Sequence, residues 1–146
     1  MLKVAKRKVV KMFREFLVYH NSSLEFRAKL ITLLISANGE MIECEKQKLK
    51  EVAHKVYSGD PDRAELLIDT VIEYHVKIIT NNGLNFEHLI QQVIKEVKEV
   101  KRFCNKIDIG LLKQFGDCID EESEEDLLFH QRTIEFLQSL IDECRV

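Results

Sequence analysis

The chain has 146 residues, of which 45% are hydrophobic and 32% charged, a balance typical of one folded domain and not of a disordered segment. It has one Pro, five Gly and no Trp, so few residues interrupt helices. The net charge is −3, and since the first fourteen residues carry six Lys or Arg and no acid, the remainder carries about −9, which disfavours general nucleic-acid binding.

The first predicted element is a basic amphipathic helix at residues 1–20. A basic amphipathic helix suits an anionic membrane surface or a groove on a partner protein. The competing interpretation is that its apolar side docks on this protein's own bundle, because exposed aromatic side chains would otherwise form a patch. The basic side chains are Lys3, Arg7, Lys11 and Arg14, and the apolar stripe consists of Val9, Phe13, Phe16 and Leu17.

Apolar residues at helical spacing predict six further helices, and turn and cap residues mark their ends. The clearest boundary is Ser58-Gly59-Asp60-Pro61, where Asp60 caps a helix and Pro61 occupies its first turn. Asn85 and Asp108 are the predicted caps of two later helices. The six helices lie at about 24–37, 42–57, 61–80, 86–100, 109–118 and 123–144.

No segment shows the period-two alternation of a strand, and no linker is long enough to divide the chain. We therefore expect residues 1–146 to form one all-α domain. For the helix at 61–80 the pattern predicts a buried face that includes a core histidine: Ala64, Leu67, Ile68, Val71, Ile72, His75 and Ile79.

One stretch has a more specific pattern. Residues 30–40 read L-I-T-L-L-I-S-A-N-G-E, and a Glu follows six residues after Gly39, at Glu45, with Leu49 four further on. This resembles the TerB-like (tellurite-resistance) family, whose signature is an apolar helix ending in Ala-Asp-Gly, then Glu and Leu at these offsets. Asn38 replaces the family's Asp.

The family contains this helical-hairpin unit twice, and residues 24–57 and 108–144 resemble its two copies, the second degenerate. In the second copy Leu111, Leu112, Phe115 and Cys118 have the spacing of an apolar first helix, and His130 stands where Glu45 does. The resemblance implies a compact all-α bundle of about seven helices, no enzymatic activity and an acidic surface that binds divalent cations. The family also occurs as a domain of DnaJ-like co-chaperones.

Acidic residues cluster near the turn of each predicted repeat. Several hard carboxylate oxygens that converge on one point are what Ca²⁺ or Mg²⁺ requires. The competing interpretation is that acids at a helix start are favoured by the helix dipole and stay solvated. The predicted cation ligands are Glu40, Glu43, Glu45, Asp117, Asp120, Glu121 and Glu124.

The four cysteines are far apart in sequence, with no CxxC pair. We expect a cytoplasmic protein with four reduced thiols packed in helix interfaces. No HxxxH pair, GxSxG elbow or Gly-rich phosphate loop occurs, and all histidines except His75 are predicted to lie at the surface.

These patterns predict a non-catalytic interaction or adaptor module of stress-response or co-chaperone type. It would bind a protein partner and, at its acidic face, a divalent cation; no other cofactor is expected. Two alternatives stay open. One is a metal-dependent hydrolase with carboxylate and histidine ligands in a helical bundle. The other is a peripheral membrane sensor that uses the basic helix at 1–20.

Overall fold

The computed structural model describes residues 22–35 and 40–144 of the chain. Within these ranges the chain forms six α-helices, two 3₁₀ helices and no strand, so the predicted all-α bundle is confirmed. Several predicted features lie outside the described residues: the basic helix at 1–20, with Lys3, Arg7, Lys11 and Arg14, and the turn at Asn38-Gly39.

The helices follow the predicted order, with one additional element. The additional element is a 3₁₀ helix at Lys101–Lys106. The predicted sixth helix is α-helical for four residues only and continues as a second 3₁₀ helix, Lys113–Cys118. The α-helices are α1 (Ser22–Ile35), α2 (Glu43–Val56), α3 (Pro61–Ile79), α4 (Phe86–Glu99), α5 (Ile109–Leu112) and α6 (Glu124–Cys144).

The predicted helix caps are confirmed. The side chain of Asp60 accepts a hydrogen bond from the backbone N–H of Arg63 at 3.2 Å, and Pro61 is the first residue of α3. Asn85 caps α4 and Asp108 caps α5 in the same way, at 2.8 and 3.1 Å. Each cap satisfies a backbone N–H that has no partner within its helix, and so fixes where the helix begins.

Helix α1 lies at the centre of the bundle and contacts α3, α4, α5 and α6. Its side chains from Leu24 to Ile35 are buried except for two, Glu25 and Arg27. Phe26 of α1 stacks on Phe103 of the Lys101–Lys106 3₁₀ helix, with ring centroids 4.7 Å apart. The core is therefore organised around one helix that is apolar on nearly all sides.

A buried ion pair crosses from α1 to α4. Lys29 is 7% exposed, and its Nζ donates hydrogen bonds to both carboxylate oxygens of Glu96 at 3.0 Å. Its Nζ also lies 3.7 Å from Glu25. The neighbouring Tyr74 phenol hydrogen-bonds to Glu25, and burial, followed by the charge of Glu25, raises its pKa. This network joins α1, α3 and α4.

The predicted buried face of α3 is correct for five of its seven residues, including His75. Ile72 and Ile79 are instead 41% and 38% exposed. Periodicity places them with the apolar residues of α3, but they lie at the edge of that side, away from the residues that pack against the core. The prediction that these two residues are buried is therefore wrong.

The two predicted repeats differ in form. The first contains two helices of 14 residues each, α1 and α2. The second begins with the four-residue α5 and its 3₁₀ continuation, and then has the 21-residue α6. Helix α2 packs on α3 and on the Lys113–Cys118 3₁₀ helix. The turn regions of the two repeats are thereby brought together.

None of the helices in the described ranges combines the length and the apolar character needed to span a bilayer.

Candidate functional site

A disulfide between Cys44 and Cys118 holds the turn regions of the two predicted repeats together. Cys44 lies in the first turn of α2, and Cys118 ends the Lys113–Cys118 3₁₀ helix; their Cα atoms are 5.5 Å apart. Next to it, Lys48 Nζ lies 3.5 Å from a carboxylate oxygen of Asp117. The start of α2 is therefore attached to the acidic segment that precedes α6.

A second disulfide joins Cys104 to Cys144, with Cα atoms 6.4 Å apart. The expectation of four reduced thiols is therefore wrong, and none of the cysteines is free. The pairs are separated by 74 and 40 residues in sequence. Their proximity arises only from the fold, which brings each pair within the Cα distance that a disulfide requires.

A cavity of about 220 Å³ lies beside the Cys44–Cys118 disulfide, between the start of α2 and the start of α6. We call it the acidic cavity. Four carboxylates line it, those of Glu40, Glu45, Asp120 and Asp126. The other lining residues are His130, Cys118 and six apolar side chains: Leu34, Ile35, Ile42, Phe115, Ile119 and Phe129.

Glu45 is held in place by a backbone hydrogen bond at the start of α2. Its side chain accepts a hydrogen bond from the N–H of Ile42 at 3.1 Å, just before α2 begins. Burial raises the pKa of Glu45, and this hydrogen bond opposes that effect. Glu45 is thus a helix-capping side chain at the cavity wall, and one of its oxygens is already engaged.

Asp120 also has a local role. Its carboxylate accepts a hydrogen bond from the backbone N–H of Glu122 at 3.0 Å, and its carbonyl accepts one from Ser123 at 2.9 Å. These two bonds form the turn that leads into α6. The turn presents Asp120 to the cavity, while Glu122 is exposed to solvent.

The structure brings together three of the seven predicted cation ligands, Glu40, Glu45 and Asp120, at the cavity wall. Within residues 22–35 and 40–144, no three His, Cys, Asp or Glu side chains converge closely enough to hold a metal ion. The other four predicted ligands are exposed and do not line the cavity: Glu43, Asp117, Glu121 and Glu124.

The seven predicted cation ligands did not include Asp126 or His130, two residues of α6 that line the cavity. They are four residues apart, a spacing that places both on one side of a helix. His130 is partly buried and not a surface residue, and its Nδ1 has no hydrogen-bond partner within the described part of the chain. A methyl group on Gly116 would come within 2.8 Å of His130 Nε2, so the absence of a side chain there makes room for the imidazole.

Protonation of His130 is expected to destabilise the fold. Burial lowers its pKa, and the Asp117 carboxylate opposes that effect. A histidine with a lowered native pKa stabilises the fold above its unfolded pKa of about 6.5, and this contribution is lost as the pH falls through the native value. We expect the wild type to lose more stability than His130→Gln between about pH 7 and 5, measured by urea unfolding at each pH. Equal losses in the two proteins would contradict this assignment.

Exposed aliphatic side chains accompany the acidic cavity. Ile42, which lines it, is 51% exposed. In α6, Leu127 and Leu128 directly follow Asp126 and are 39% and 52% exposed. Large aliphatic side chains next to carboxylates are more typical of a binding surface than of a purely solvated acidic turn.

Comparison with protein-family models, curated proteins and solved structures finds no match to this chain.

Proposed function

We propose that this chain is a non-catalytic interaction module whose acidic cavity receives a basic side chain from an apolar-flanked segment of a partner protein. The observation that carries the proposal is the composition of the cavity: four carboxylates above a wall of aliphatic and aromatic side chains. A Lys or Arg side chain has matching parts, because its aliphatic stem packs on apolar surface while its charged head meets carboxylates.

The electrostatics of the cavity support a cationic ligand. No Lys or Arg is among the described residues that line it. His130 has a lowered pKa and is therefore largely uncharged at neutral pH, so it does not neutralise the carboxylates. Lys48, one turn after Cys44 in α2, is engaged with Asp117 and Glu51. A charge that enters a partly enclosed, low-dielectric space interacts with carboxylates more strongly than one at an open surface.

A divalent cation is the second candidate, since Glu40, Glu45 and Asp120 supply the hard oxygens that Ca²⁺ or Mg²⁺ prefers. In the described residues, however, these carboxylates do not converge on one point. Glu45 and Asp120 also use oxygens to accept backbone hydrogen bonds. An organic cation tolerates such dispersed carboxylates, so we prefer a partner's basic side chain to a metal.

We also propose a TerB-like relationship and a stress-response or co-chaperone context. Both depend on the sequence pattern at residues 30–49. A cytoplasmic location is also a proposal. Disulfides persist mainly in oxidising compartments, so in a reducing cytosol the two cysteine pairs would be exposed to reduction. Alkylation of free thiols in intact cells measures whether the four cysteines are reduced or disulfide-bonded in the compartment where the protein acts.

Selection from a random peptide library on the full chain is expected to enrich peptides with Lys or Arg beside aliphatic or aromatic residues. For a selected peptide, neutralising two cavity carboxylates (Glu40→Gln with Asp126→Asn) should weaken binding at least about tenfold, or about 1.4 kcal/mol. The matched control is Glu125→Gln, which removes an exposed charge next to Asp126 in the same helical turn. Calorimetric titration measures all three affinities. Equal affinities for the two variants would contradict the proposal.

The wild type and these variants also distinguish between the two candidate ligands, a partner's basic side chain and a divalent cation. Thermal unfolding with added Ca²⁺ or Mg²⁺ reports a cation site, because a ligand that binds the native state raises the melting temperature by mass action. A rise in the wild type that disappears in Glu40→Gln with Asp126→Asn would favour the cation and reopen the metal-dependent hydrolase. We expect no such rise.

A further inference from the structure

Helix α3 has a continuous stripe that faces away from the core. Its members are spaced alternately three and four residues apart, which places them on one side of the helix. The apolar half is exposed: Ile72, Val76 and Ile79 are 41%, 47% and 38% accessible. The complete stripe, which we call the acid–aliphatic stripe, consists of Asp62, Glu65, Asp69, Ile72, Val76 and Ile79.

The stripe divides by chemistry along its length. Three acids occupy the N-terminal half and three aliphatic residues the C-terminal half, with no Lys or Arg among them. Glu65 lies 3.5 Å from His54 of α2, and Glu73, at the edge of the stripe, lies 3.7 Å from Lys77. A surface of this kind fits a helix that carries bases at one end and large apolar side chains at the other.

The chain contains such a segment directly before α1. At helical spacing Lys6, Val9, Phe13 and Phe16 lie on one side of the segment, residues 2–19, with the base toward its beginning and the aromatic residues toward its end. Only one acid, Glu15, interrupts the segment. The segment has a net positive charge, opposite in sign to the net charge of the rest of the chain.

The connection to α1 places this segment at the correct end of the stripe. The segment leads into α1 at Ser22, and one turn later Glu25 hydrogen-bonds to Tyr74 in the C-terminal half of α3. We therefore expect the apolar end of the segment to lie near the aliphatic half of the stripe and its basic end to lie toward the acids.

The lengths of the two elements also agree. In a helix that rises about 1.5 Å per residue, Lys6 and Leu17 are about 16.5 Å apart along the axis, and Glu65 and Val76 are separated by the same distance. We propose that residues 2–19 dock as an amphipathic helix along the acid–aliphatic stripe, parallel to α3. Aliphatic and aromatic contact supplies most of the affinity, since exposed ion pairs contribute little, and the charges select the direction.

Hydrogen exchange of the full chain, read by mass spectrometry, tests this placement. We expect the amides of residues 2–19 to exchange at least about tenfold faster in Val76→Glu than in the wild type, while α4 keeps its protection and shows that the bundle is folded. The matched control is Leu128→Glu, at a leucine 52% exposed in α6, which should leave the segment protected.

A charge reversal tests the direction. Glu65→Lys and Lys6→Glu should each accelerate exchange in the segment, and the two together should restore part of the protection. Rapid exchange of residues 2–19 in the wild type would overturn the proposal. Protection that appears only with vesicles of phosphatidylserine, or that grows with protein concentration, would also overturn it. The same holds for protection that is lost in Glu40→Gln with Asp126→Asn and kept in Val76→Glu. These outcomes would indicate a lipid surface, a second copy of the chain, or the acidic cavity.

Discussion

Replacing Cys44 and Cys118 together by serine is expected to lower the free energy of unfolding by about 2–4 kcal/mol. The bond closes a loop of 74 residues, and its removal returns to the unfolded chain the conformational freedom that the crosslink denied it. Urea unfolding of the oxidised wild type and of the double variant measures the difference. Since Cys118 also lines the acidic cavity, we expect binding of a selected basic peptide to weaken as well.

The second disulfide provides the control for this effect. Cys104→Ser with Cys144→Ser opens a loop of 40 residues and should destabilise the protein by a similar amount, about 2–4 kcal/mol. Neither cysteine lines the acidic cavity, so peptide affinity should be retained. A loss of affinity in this variant, or unchanged stability in Cys44→Ser with Cys118→Ser, would contradict the account of how the cavity is held.

Lys29→Met is expected to destabilise the fold by about 2–3 kcal/mol. Removing one partner of a buried ion pair costs about 3–5 kcal/mol because it leaves the other charge uncompensated, and partial access to solvent reduces this cost. The side chain of Glu96 is 24% exposed, so water recovers part of its solvation. Without Lys29, the Glu96 and Glu25 carboxylates both lose the ammonium group that lies near them. Urea unfolding measures the change.

Replacing both buried partners separates charge imbalance from packing. Lys29→Met with Glu96→Leu should recover most of the stability that Lys29→Met loses, because an apolar pair of similar size needs no solvation. Lys77→Met removes a lysine whose side chain is 45% exposed and should change stability by less than about 0.5 kcal/mol. If Lys29→Met behaved like Lys77→Met, the network would not contribute to holding α1 against α4.

The boundaries of the helices were predictable because local chemistry decides them. Asp60, Asn85 and Asp108 each cap a helix through a hydrogen bond within three residues, an interaction that is encoded entirely by neighbouring positions. Periodicity likewise predicted the buried residues of α3 where a described helix packs against them. It was wrong for Ile72 and Ile79, since a period gives the direction of a face and not whether anything covers it.

The remaining features depend on contacts between distant segments. Periodicity gives no reason to expect that Lys29 is buried, because its partner Glu96 lies 67 residues away. His130 was predicted to lie at the surface. It is partly buried instead, because it lies against Gly116 and lines the acidic cavity. The prediction of an acidic face identified Glu40, Glu45 and Asp120, but composition alone did not separate them from acids that stay in solvent.

Intermolecular nuclear Overhauser effects between a selected basic peptide and the isotope-labelled full chain test the central claim most directly. If the acidic cavity is the binding site, the methylene protons of the peptide's Lys or Arg should show contacts to Ile42 and Phe129, and these contacts should disappear in Glu40→Gln with Asp126→Asn. Contacts confined to the acid–aliphatic stripe of α3 would contradict the account.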